Sequence, residues 1–257
     1  MSFDPAEINR LREVYNREKG GNIPAGSPRN VWKALQSKFH EECRTGAASC
    51  IITNMMHKPT APDSWSLNRY EWLSSDDISS IEKEYVKLFE GYEFLGCIPI
   101  DFDLKNEVGK CIVSTLCSTQ LKSLYDRGKH RIGIVFNTDP HDGPGEHWIA
   151  LFADIRPDLE YSRITYFDSY AQEPEEEIQE LMRRWKEQWD STGIHSKPTQ
   201  LTYNKTRHQF KDTECGMYSL YFHRCCLTET PMDTRIPDDV VNGLRDMLWK
   251  KRKITTS

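Results

Sequence analysis

Several features that would assign this chain to a special class of protein are missing from its sequence. No apolar run approaches the roughly 20 residues that a membrane-spanning helix needs. No internal repeat and no low-complexity segment is visible. The formal net charge is −5, so bulk charge gives no reason to expect binding to nucleic acid or to a membrane. The opening stretch MSFDPAEINR lacks the basic and then apolar pattern of a signal peptide, and we therefore expect a protein that is not secreted.

The cysteines show no spacing that is typical of a metal site. They stand at positions 43, 50, 97, 111, 117, 215, 225 and 226, and no two of them form a CxxC pair. We therefore expect neither a metal ion nor another cofactor. In the absence of a secretion signal, the thiols are predicted to be mostly reduced, as in a cytosolic or nuclear compartment. Several of them are expected to serve as small buried apolar residues.

The composition that remains is that of an ordinary globular protein, with 37% hydrophobic and 28% charged residues. Its 257 residues suit one full-sized domain with a small extension. Short helices are predicted at 6–17 and 30–43, separated by the stretch GGNIPAGSP. The loop HKPTAPDS then indicates a boundary near residue 62. We predict a helical arm over residues 1–62 and a core domain over residues 63–257.

In the core domain, β-rich runs alternate with helical patterns. Apolar residues at helical spacing in ISSIEKEYVKLF predict a helix capped by Ser75 or Asp76. Four extended runs follow, namely RIGIVFNT, HWIALFADI, ITYFDS and TQLTYN. Further helices are predicted for EPEEEIQELMRRWKEQW, for the apolar CGMYSLYFHRCCL and for 238–250. This mixture of strands and helices predicts an α+β or α/β fold.

Cys215 stands where a polar loop, KDTE, turns into the apolar helix. Asp212 or Thr213 is predicted to cap that helix. A cysteine in the first helical turn lies near unpaired backbone N–H groups and the positive end of the helix dipole, and both favour thiolate over thiol. Gly216 would let a substrate backbone approach closely. Cys215 is therefore the candidate nucleophile, whereas the two adjacent cysteines deeper in the same helix are assigned to packing.

His147 lies at the junction between the turn-rich loop DPHDGPGE and the strand HWIALF. At such a junction the strand fixes the backbone while the side chain can point into a cleft. An imidazole can take the proton of a thiol and later return it to a leaving amine. His141, His208 and His223 are rivals, but His141 lies in the middle of a loop and His223 lies within the buried helix, and neither position is held as rigidly as that of His147. His147 is therefore the candidate base.

Asp168 and Gln209 complete the set of candidate residues. If HWIALFADI and RITYFDS form an antiparallel hairpin, the end of the second strand lies near the start of the first, which brings Asp168 beside His147. The carboxylate could then hold the imidazole through Nδ1 and stabilise the imidazolium, although a turn cap explains an aspartate equally well. Gln209, six residues before Cys215, could donate to a developing oxyanion together with the backbone N–H of Cys215.

The order of these residues resembles that of one superfamily. His-Trp opens a strand, Asp ends the next strand, and Gln precedes Cys-Gly by six residues. The segments concerned are GEHWIALF (145–152), YFDS (166–169) and HQFKDTECGMYSL (208–220), with EWLSSDDI (71–78) upstream. Over roughly residues 65–235 the chain resembles the SUMO-protease and adenoviral-proteinase superfamily of cysteine peptidases. It is similar in particular to the polyprotein-processing proteases of African-swine-fever-type large DNA viruses.

This resemblance implies a papain-like α+β core in which helices flank a central mixed sheet. It also implies a role for each candidate residue. These roles are Cys215 as nucleophile, His147 as base, Asp168 as orienting group and Gln209 as oxyanion donor. Members of the superfamily cleave after a Gly-Gly pair, and the resemblance implies Trp148 and Trp72 as facing walls of the narrow tunnel that takes the glycines.

The predicted function is a cysteine endopeptidase that cleaves viral structural polyproteins after Gly-Gly during virion maturation, in the host cytoplasm and the virion. The alternative is a deconjugase that removes SUMO or another ubiquitin-like modifier by the same chemistry. A module that binds Gly-Gly tails without cleaving them would lack a catalytic group, and all four groups are present. Binding to nucleic acid rests only on WKKRKI (249–254), a pattern also typical of a solvated helix end.

Overall fold

A mixed five-stranded sheet forms the centre of the structure, a computed structural model that describes residues 5–251. The strands follow one another across the sheet in chain order, and the outer pairs are parallel while the two inner pairings are antiparallel. They are β1 (Tyr92–Pro99), β2 (Arg131–Asn137), β3 (Trp148–Asp154), β4 (Arg163–Phe167) and β5 (Gln200–Tyr203). The expected mixed sheet with flanking helices is confirmed.

Helices precede the sheet, fill its connections and follow it. The first part of the chain forms α1 (Pro5–Glu18), α2 (Pro28–Lys38) and α3 (Ala48–Met55), and a 3₁₀ turn (Asp63–Ser66) follows them. The helices around the sheet are α4 (Ser75–Leu88), α5 (Ser114–Cys117), α6 (Leu121–Asp126), α7 (Glu176–Asp190), α8 (Cys215–Thr228), α9 (Asp238–Gly243) and α10 (Arg245–Leu248). The start of α4 is fixed by a capping box in which Ser74 and Asp77 each bind the other's backbone N–H.

The two faces of the sheet bury separate hydrophobic clusters. Alternate residues of a strand point to opposite faces, so Val135 and Ala150 lie on one side while Ile134 and Leu151 lie on the other. The first face packs against α4 and α8, together with the helices before the core domain. The second face packs against α6 and α7. Helix α8 therefore lies directly on the sheet, which fixes the position of its first residue, Cys215.

The arm is packed against the core domain. Ile8, Leu11 and Val14 of α1 belong to the same hydrophobic cluster as residues of α4 and α8. Glu7 of α1 also forms a buried ion pair with Arg131 at the start of β2. The division of the chain at residue 62 stays a prediction, because one continuous cluster spans both parts.

Some local predictions were wrong. Strand β1 was not predicted, because Gly96, Pro99 and a register shift between Phe94 and Cys97 interrupt its pattern. The helix expected at 238–250 is divided at Leu244 into α9 and α10. Within residues 5–251, no helix has both the length and the apolar character that crossing a membrane would require.

Four cysteines are paired, contrary to the prediction that the thiols are mostly reduced. The disulfides join Cys43 to Cys50 and Cys111 to Cys117. Tight turns bring the Cα atoms of these pairs to 5.8 and 6.4 Å, within the range that a disulfide spans. Spacings of seven and six residues do not reveal such turns in the sequence.

Candidate active site

The β3–β4 hairpin brings His147 and Asp168 together. The two strands are antiparallel, with Ala150 opposite Phe167, so the residue just before β3 meets the residue just after β4. His147 Nε2 lies 2.7 Å from Asp168 Oδ1. The predicted pairing of these residues is therefore present, but it uses Nε2 rather than the expected Nδ1. This orientation leaves Nδ1 as the nitrogen available to Cys215, which is close enough to raise the pKa of His147.

Cys215 is the first residue of α8 and is almost completely buried. The first N–H groups of a helix have no partner within the helix, and they favour a negative charge at this position. The helix begins without a side-chain cap, so the prediction of Asp212 or Thr213 as its cap was wrong. Glu214 occupies the cap position, and its carboxylate instead accepts hydrogen bonds from the backbone N–H of Thr213 (3.0 Å) and from Asn242 Nδ2 (2.7 Å).

The surroundings of His147 favour its protonated form. Burial alone would lower its pKa, but hydrogen bonds with Asp168 and Cys215 outweigh that effect and raise the pKa to about 9. Near neutral pH the imidazole is therefore a cation beside the Cys215 sulfur. A cation in that position stabilises a thiolate, which is the nucleophilic form of cysteine.

Hydrogen bonds hold both the carboxylate and the backbone of Asp168 in place. Its Oδ1 accepts the N–H of Tyr170 (3.0 Å), and its Oδ2 accepts the N–H of Gln172 (2.9 Å). Asn204, just after β5, binds the backbone of Asp168 twice, accepting its N–H and donating to its carbonyl. The sequence analysis did not single out Asn204, although its place at the end of the run TQLTYN was a signal. These contacts fix the position of the Asp168 carboxylate independently of its contact with His147.

Gln209 is fully buried, and both ends of its amide are oriented. Its Oε1 accepts the hydroxyl of Ser169 (2.6 Å), which is why Nε2 is the donor end. One Nε2 hydrogen is donated to the carbonyl of Lys211 (2.8 Å). A primary amide has two such hydrogens, so the second can be donated to a negatively charged oxygen near Cys215.

Trp148 and Leu73 close one side of the site. Trp148 Nε1 donates to the Leu73 carbonyl (2.8 Å), which holds the indole against the start of α8. A Cβ atom added to Gly216 would lie 3.0 Å from Leu73 Cβ and 3.2 Å from Trp148 Cδ1. Gly216 is therefore required by packing against these two residues. Leu73 was missed by the sequence analysis, although it neighbours the quoted Trp72.

Trp72 lies further out, along a groove that leads away from Trp148. Its side chain is 44% exposed, whereas Leu73 is buried. The groove has a volume of about 690 Å³, and both tryptophans line it. Ile98, Ile112 and Val113 add an apolar wall. Trp72 and Trp148 therefore line the same groove, and Trp72 is the more exposed of the two.

The rival histidines have other partners. His141 is exposed, and its Nδ1 lies 2.6 Å from Asp101. His208 is buried, its Nδ1 accepts the N–H of Ile236, and burial lowers its pKa. His223 is fully buried, with Glu82 at one ring nitrogen and the Leu151 carbonyl at the other. Each of them is therefore accounted for by a structural contact away from Cys215.

One group of possible metal ligands occurs among residues 5–251, formed by Asp103, Cys111 and Cys117. The two sulfurs are bonded to each other, and Asp103 pairs with Arg184 at 2.6 Å. These contacts use the donor atoms, so we assign no metal ion to the group.

In the basic stretch 249–254, Trp249 packs against Trp65. Residues 252–254 of that stretch lie outside the described part of the chain.

Comparison with known proteins finds similarity to one protease family and to two viral proteases. Residues 129–255 match the Ulp1 protease family, C-terminal catalytic domain. A thiol protease of Acanthamoeba polyphaga mimivirus is 29% identical over 190 residues, which are 71% of this chain and 58% of that protein. A cysteine protease of African swine fever virus is 37% identical over 122 residues, or 46% of this chain and 43% of that protein. The chain thus spans about half the length of these relatives.

Solved structures show the same fold over more of the chain. The crystal structure of the African swine fever virus protease superposes with a TM-score of 0.63 at 21% identity, covering 95% of this chain and 90% of that one. A structure of the SUMO protease Ulp1 has a TM-score of 0.50 at 13% identity, covering 89% and 96%. The predicted resemblance to SUMO proteases and to viral cysteine proteases is confirmed: residues 129–255 are similar to the Ulp1 catalytic domain, and the chain has the fold of the African swine fever virus protease.

Proposed function

We propose that this chain is a cysteine endopeptidase in which Cys215, His147, Asp168 and Gln209 carry out the reaction. The observation that carries the proposal is the position of His147, whose Nε2 lies 2.7 Å from Asp168 Oδ1 and whose pKa is raised by both Asp168 and Cys215. A nucleophile, a base within hydrogen-bonding distance and a third group that orients the base are the requirements of acyl transfer through a covalent intermediate.

The reaction would begin with attack of the Cys215 thiolate on the carbonyl carbon of the scissile peptide bond. The oxygen then becomes negatively charged, and Gln209 Nε2–H and the backbone N–H of Cys215 are the donors proposed to stabilise it. The His147 imidazolium gives its proton to the leaving amine, and the carbon–nitrogen bond breaks. His147, now neutral, removes a proton from water, which hydrolyses the thioester and releases Cys215. Asp168 holds the imidazole throughout.

We further propose that the substrate has glycine at the two positions before the cut, as the resemblance to the SUMO-protease superfamily implies. Trp148 and Leu73 pack so closely on Gly216 that a Cβ atom there would be crowded, which fixes the indole at the first turn of α8 beside Cys215. We propose that this fixed indole sterically excludes substrate residues that have a Cβ. The groove beyond Trp148, with its apolar wall, would then receive the residues that precede the glycines.

We propose viral structural polyproteins as the substrates, with cleavage in the host cytoplasm and the virion. Both relatives described above are viral proteins. The arm supports the same choice, because it extends the surface around the catalytic domain and could select a few sites within folded precursors. The alternative, removal of SUMO or another ubiquitin-like modifier, has its support in the Ulp1 fold and uses identical chemistry.

Two substrates offered side by side distinguish these functions. One is a panel of peptides of the form Gly-Gly-X with matched Ala-Ala-X controls, and the other is a SUMO-fusion protein. We expect cleavage of Gly-Gly-X peptides with little cleavage of Ala-Ala-X peptides or of the fusion. Efficient cleavage of the fusion with poor cleavage of peptides would identify a deconjugase. Equal cleavage of Gly-Gly-X and Ala-Ala-X would rule out steric exclusion by the Trp148 indole as the basis of specificity.

A further inference from the structure

Tyr170 packs flat against the imidazole of His147. The two ring centroids are 4.9 Å apart, and the planes are inclined by 26°. The backbone of Tyr170 is fixed as well, because its N–H donates to Asp168 Oδ1, the oxygen that also binds His147 Nε2. The imidazole thus has Asp168 at its edge and an aromatic face against its plane.

The hydroxyl of Tyr170 connects the same ring to the other half of the site. It donates to the carbonyl of Lys211 at 3.1 Å. That carbonyl also accepts Nε2 of Gln209, at 2.8 Å. Lys211 lies four residues before Cys215 in the loop that leads into α8. A single tyrosine therefore touches the base and shares an acceptor with the oxyanion donor.

An aromatic face stabilises a cation within about 6 Å of its centroid, most strongly where water is partly excluded. The His147 side chain is only 18% exposed, and its imidazolium form is the one that the reaction requires before the leaving amine departs. The neutral imidazole gains much less from the face of the ring. The stacking therefore favours the protonated state in addition to fixing the plane of the imidazole.

Other charged groups face this pair and bear on the same equilibrium. Asp168 and the Cys215 thiolate favour the imidazolium directly, and Glu175 is close enough to interact with His147. On the side of Tyr170, the Arg207 guanidinium lies 5.2 Å from the ring centroid, and Asp212 interacts with the phenol. The Arg207 cation on the Tyr170 ring disfavours a second positive charge on His147, whereas the surrounding carboxylates favour that charge.

We propose that Tyr170 is a positioning residue that stabilises the imidazolium of His147 through its ring and holds the loop carrying Gln209 through its hydroxyl. The inference rests on the proposed function, because it assigns Tyr170 a part in that same reaction. It separates two contributions within one side chain: the ring acts on the base, and the hydroxyl acts on the oxyanion donor. Substitutions at position 170 can remove the aromatic ring and the hydroxyl separately.

The test uses Tyr170→Leu, Tyr170→Phe and Tyr170→Trp in the full chain, with two readouts. NMR follows the His147 Cε1–H resonance during a pH titration, and hydrolysis of a Gly-Gly-X peptide gives kcat and KM. Tyr170→Leu is expected to lower the titration midpoint by about 0.5 to 1 pH unit, and Tyr170→Trp to retain it, because an indole also presents an aromatic face. Tyr170→Phe should leave the midpoint unchanged but lower kcat about 3- to 10-fold at constant KM, the effect of losing one hydrogen bond.

Tyr203→Phe serves as the matched control. Tyr203 also has a cation against its ring, that of Lys205, and its hydroxyl binds Glu173, but it contacts none of the four proposed catalytic residues. We expect wild-type values from this variant. A wild-type midpoint in a folded Tyr170→Leu protein, or an unchanged kcat in Tyr170→Phe, would overturn the inference while the wild-type enzyme still cleaves Gly-Gly-X. Failure of the wild-type enzyme to cleave any such peptide would instead remove the proposed function, and this inference with it.

Discussion

Two histidine–carboxylate pairs can be compared, one formed by a residue of α8 and one next to the start of α8, and both have a nitrogen–oxygen distance of 2.7 Å. His223 and Glu82 form the first pair, which is fully buried, and the second ring nitrogen of His223 is occupied by the Leu151 carbonyl. His147 and Asp168 form the second pair, in which the other ring nitrogen is left for Cys215. The difference shows that an imidazole beside a carboxylate is a structural element unless a nucleophile and access to substrate are added.

The cysteines of α8 repeat this contrast. Cys215 begins the helix beside His147, whereas Cys225 and Cys226 lie deep in it, where burial raises the pKa of Cys225 to about 11 and that of Cys226 well above its ordinary value. A thiol with such a raised pKa is a poor nucleophile at neutral pH. We therefore expect opposite reactivity from the same residue type at the two ends of one helix.

Replacing a cysteine at each end of α8 is expected to give the largest difference in peptide turnover. Cys215→Ser should lower turnover of a Gly-Gly-X peptide by about 10⁴-fold or more, because the nucleophile is lost. Cys225→Ser, the matched change at the buried end, should retain most of the activity of whichever fraction folds. Peptide hydrolysis, normalised to folded protein by circular dichroism, measures both. Full activity in Cys215→Ser would contradict the assignment of the nucleophile.

Removing each histidine should separate activity from stability. His147→Ala should abolish turnover while the free energy of unfolding changes little. His223→Ala should destabilise the protein by about 3 to 5 kcal/mol, because the carboxylate of Glu82 loses its partner in the interior. Urea unfolding and peptide hydrolysis on both variants provide the comparison. If His223→Ala lost activity without losing stability, the structural role given to the buried pair would be wrong.

The oxyanion donor should have an intermediate effect. Gln209→Ala removes the amide proposed to bind the developing negative charge, and we expect kcat to fall about 10- to 1000-fold. KM should change less, since the interaction strengthens only as the charge develops. Steady-state kinetics on Gly-Gly-X peptides measure the two separately. Loss confined to KM would show that Gln209 contributes to binding rather than to the chemical step.

Asp168→Asn is expected to reduce activity less than His147→Ala does, and its signature is a shift in pH dependence. The alkaline limb of kcat/KM should lie near pH 9 in the wild-type enzyme, because above the raised pKa of His147 the imidazolium that protonates the leaving amine is lost. Removing the carboxylate takes away a group that raises this pKa, so the limb should move to lower pH by about one unit or more. Asparagine can still orient the ring, and the loss at pH 7 should be smaller than for His147→Ala. A limb that does not move would contradict the part assigned to Asp168.

The sequence predicted most of the sheet and the candidate residues, because their signals are local. Alternation and turn residues identified β2, β3 and β4, and the hairpin between the last two follows from their short connection. The contact of His147 with Asp168 followed from that hairpin. The ring nitrogen involved did not, because it depends on a side-chain rotation that only the packed site determines.

The parts that the sequence did not predict depend on long-range contacts. The Trp148 indole is held by the carbonyl of Leu73, 75 residues away along the chain. The Asp168 backbone is held by Asn204, 36 residues away. No spacing rule joins such positions, and a carbonyl acceptor carries no signature in residue type. The start of α8 at Cys215 was predicted correctly, but its cap was not, because the helix has no side-chain cap and Glu214 at that position binds Asn242 of α9.

The most direct test of the central claim is to map which cysteine reacts with a Gly-Gly electrophile. The intact native protein is treated at pH 7 with a short peptide ending in Gly-Gly and a thiol-reactive group, and with a matched Ala-Ala probe, and the modified residue is located by peptide mass spectrometry. We predict modification of Cys215 alone, faster with the Gly-Gly probe than with the Ala-Ala probe, and lost in His147→Ala. Modification of Cys97, Cys225 or Cys226 in preference to Cys215, or equal rates with the two probes, would contradict it.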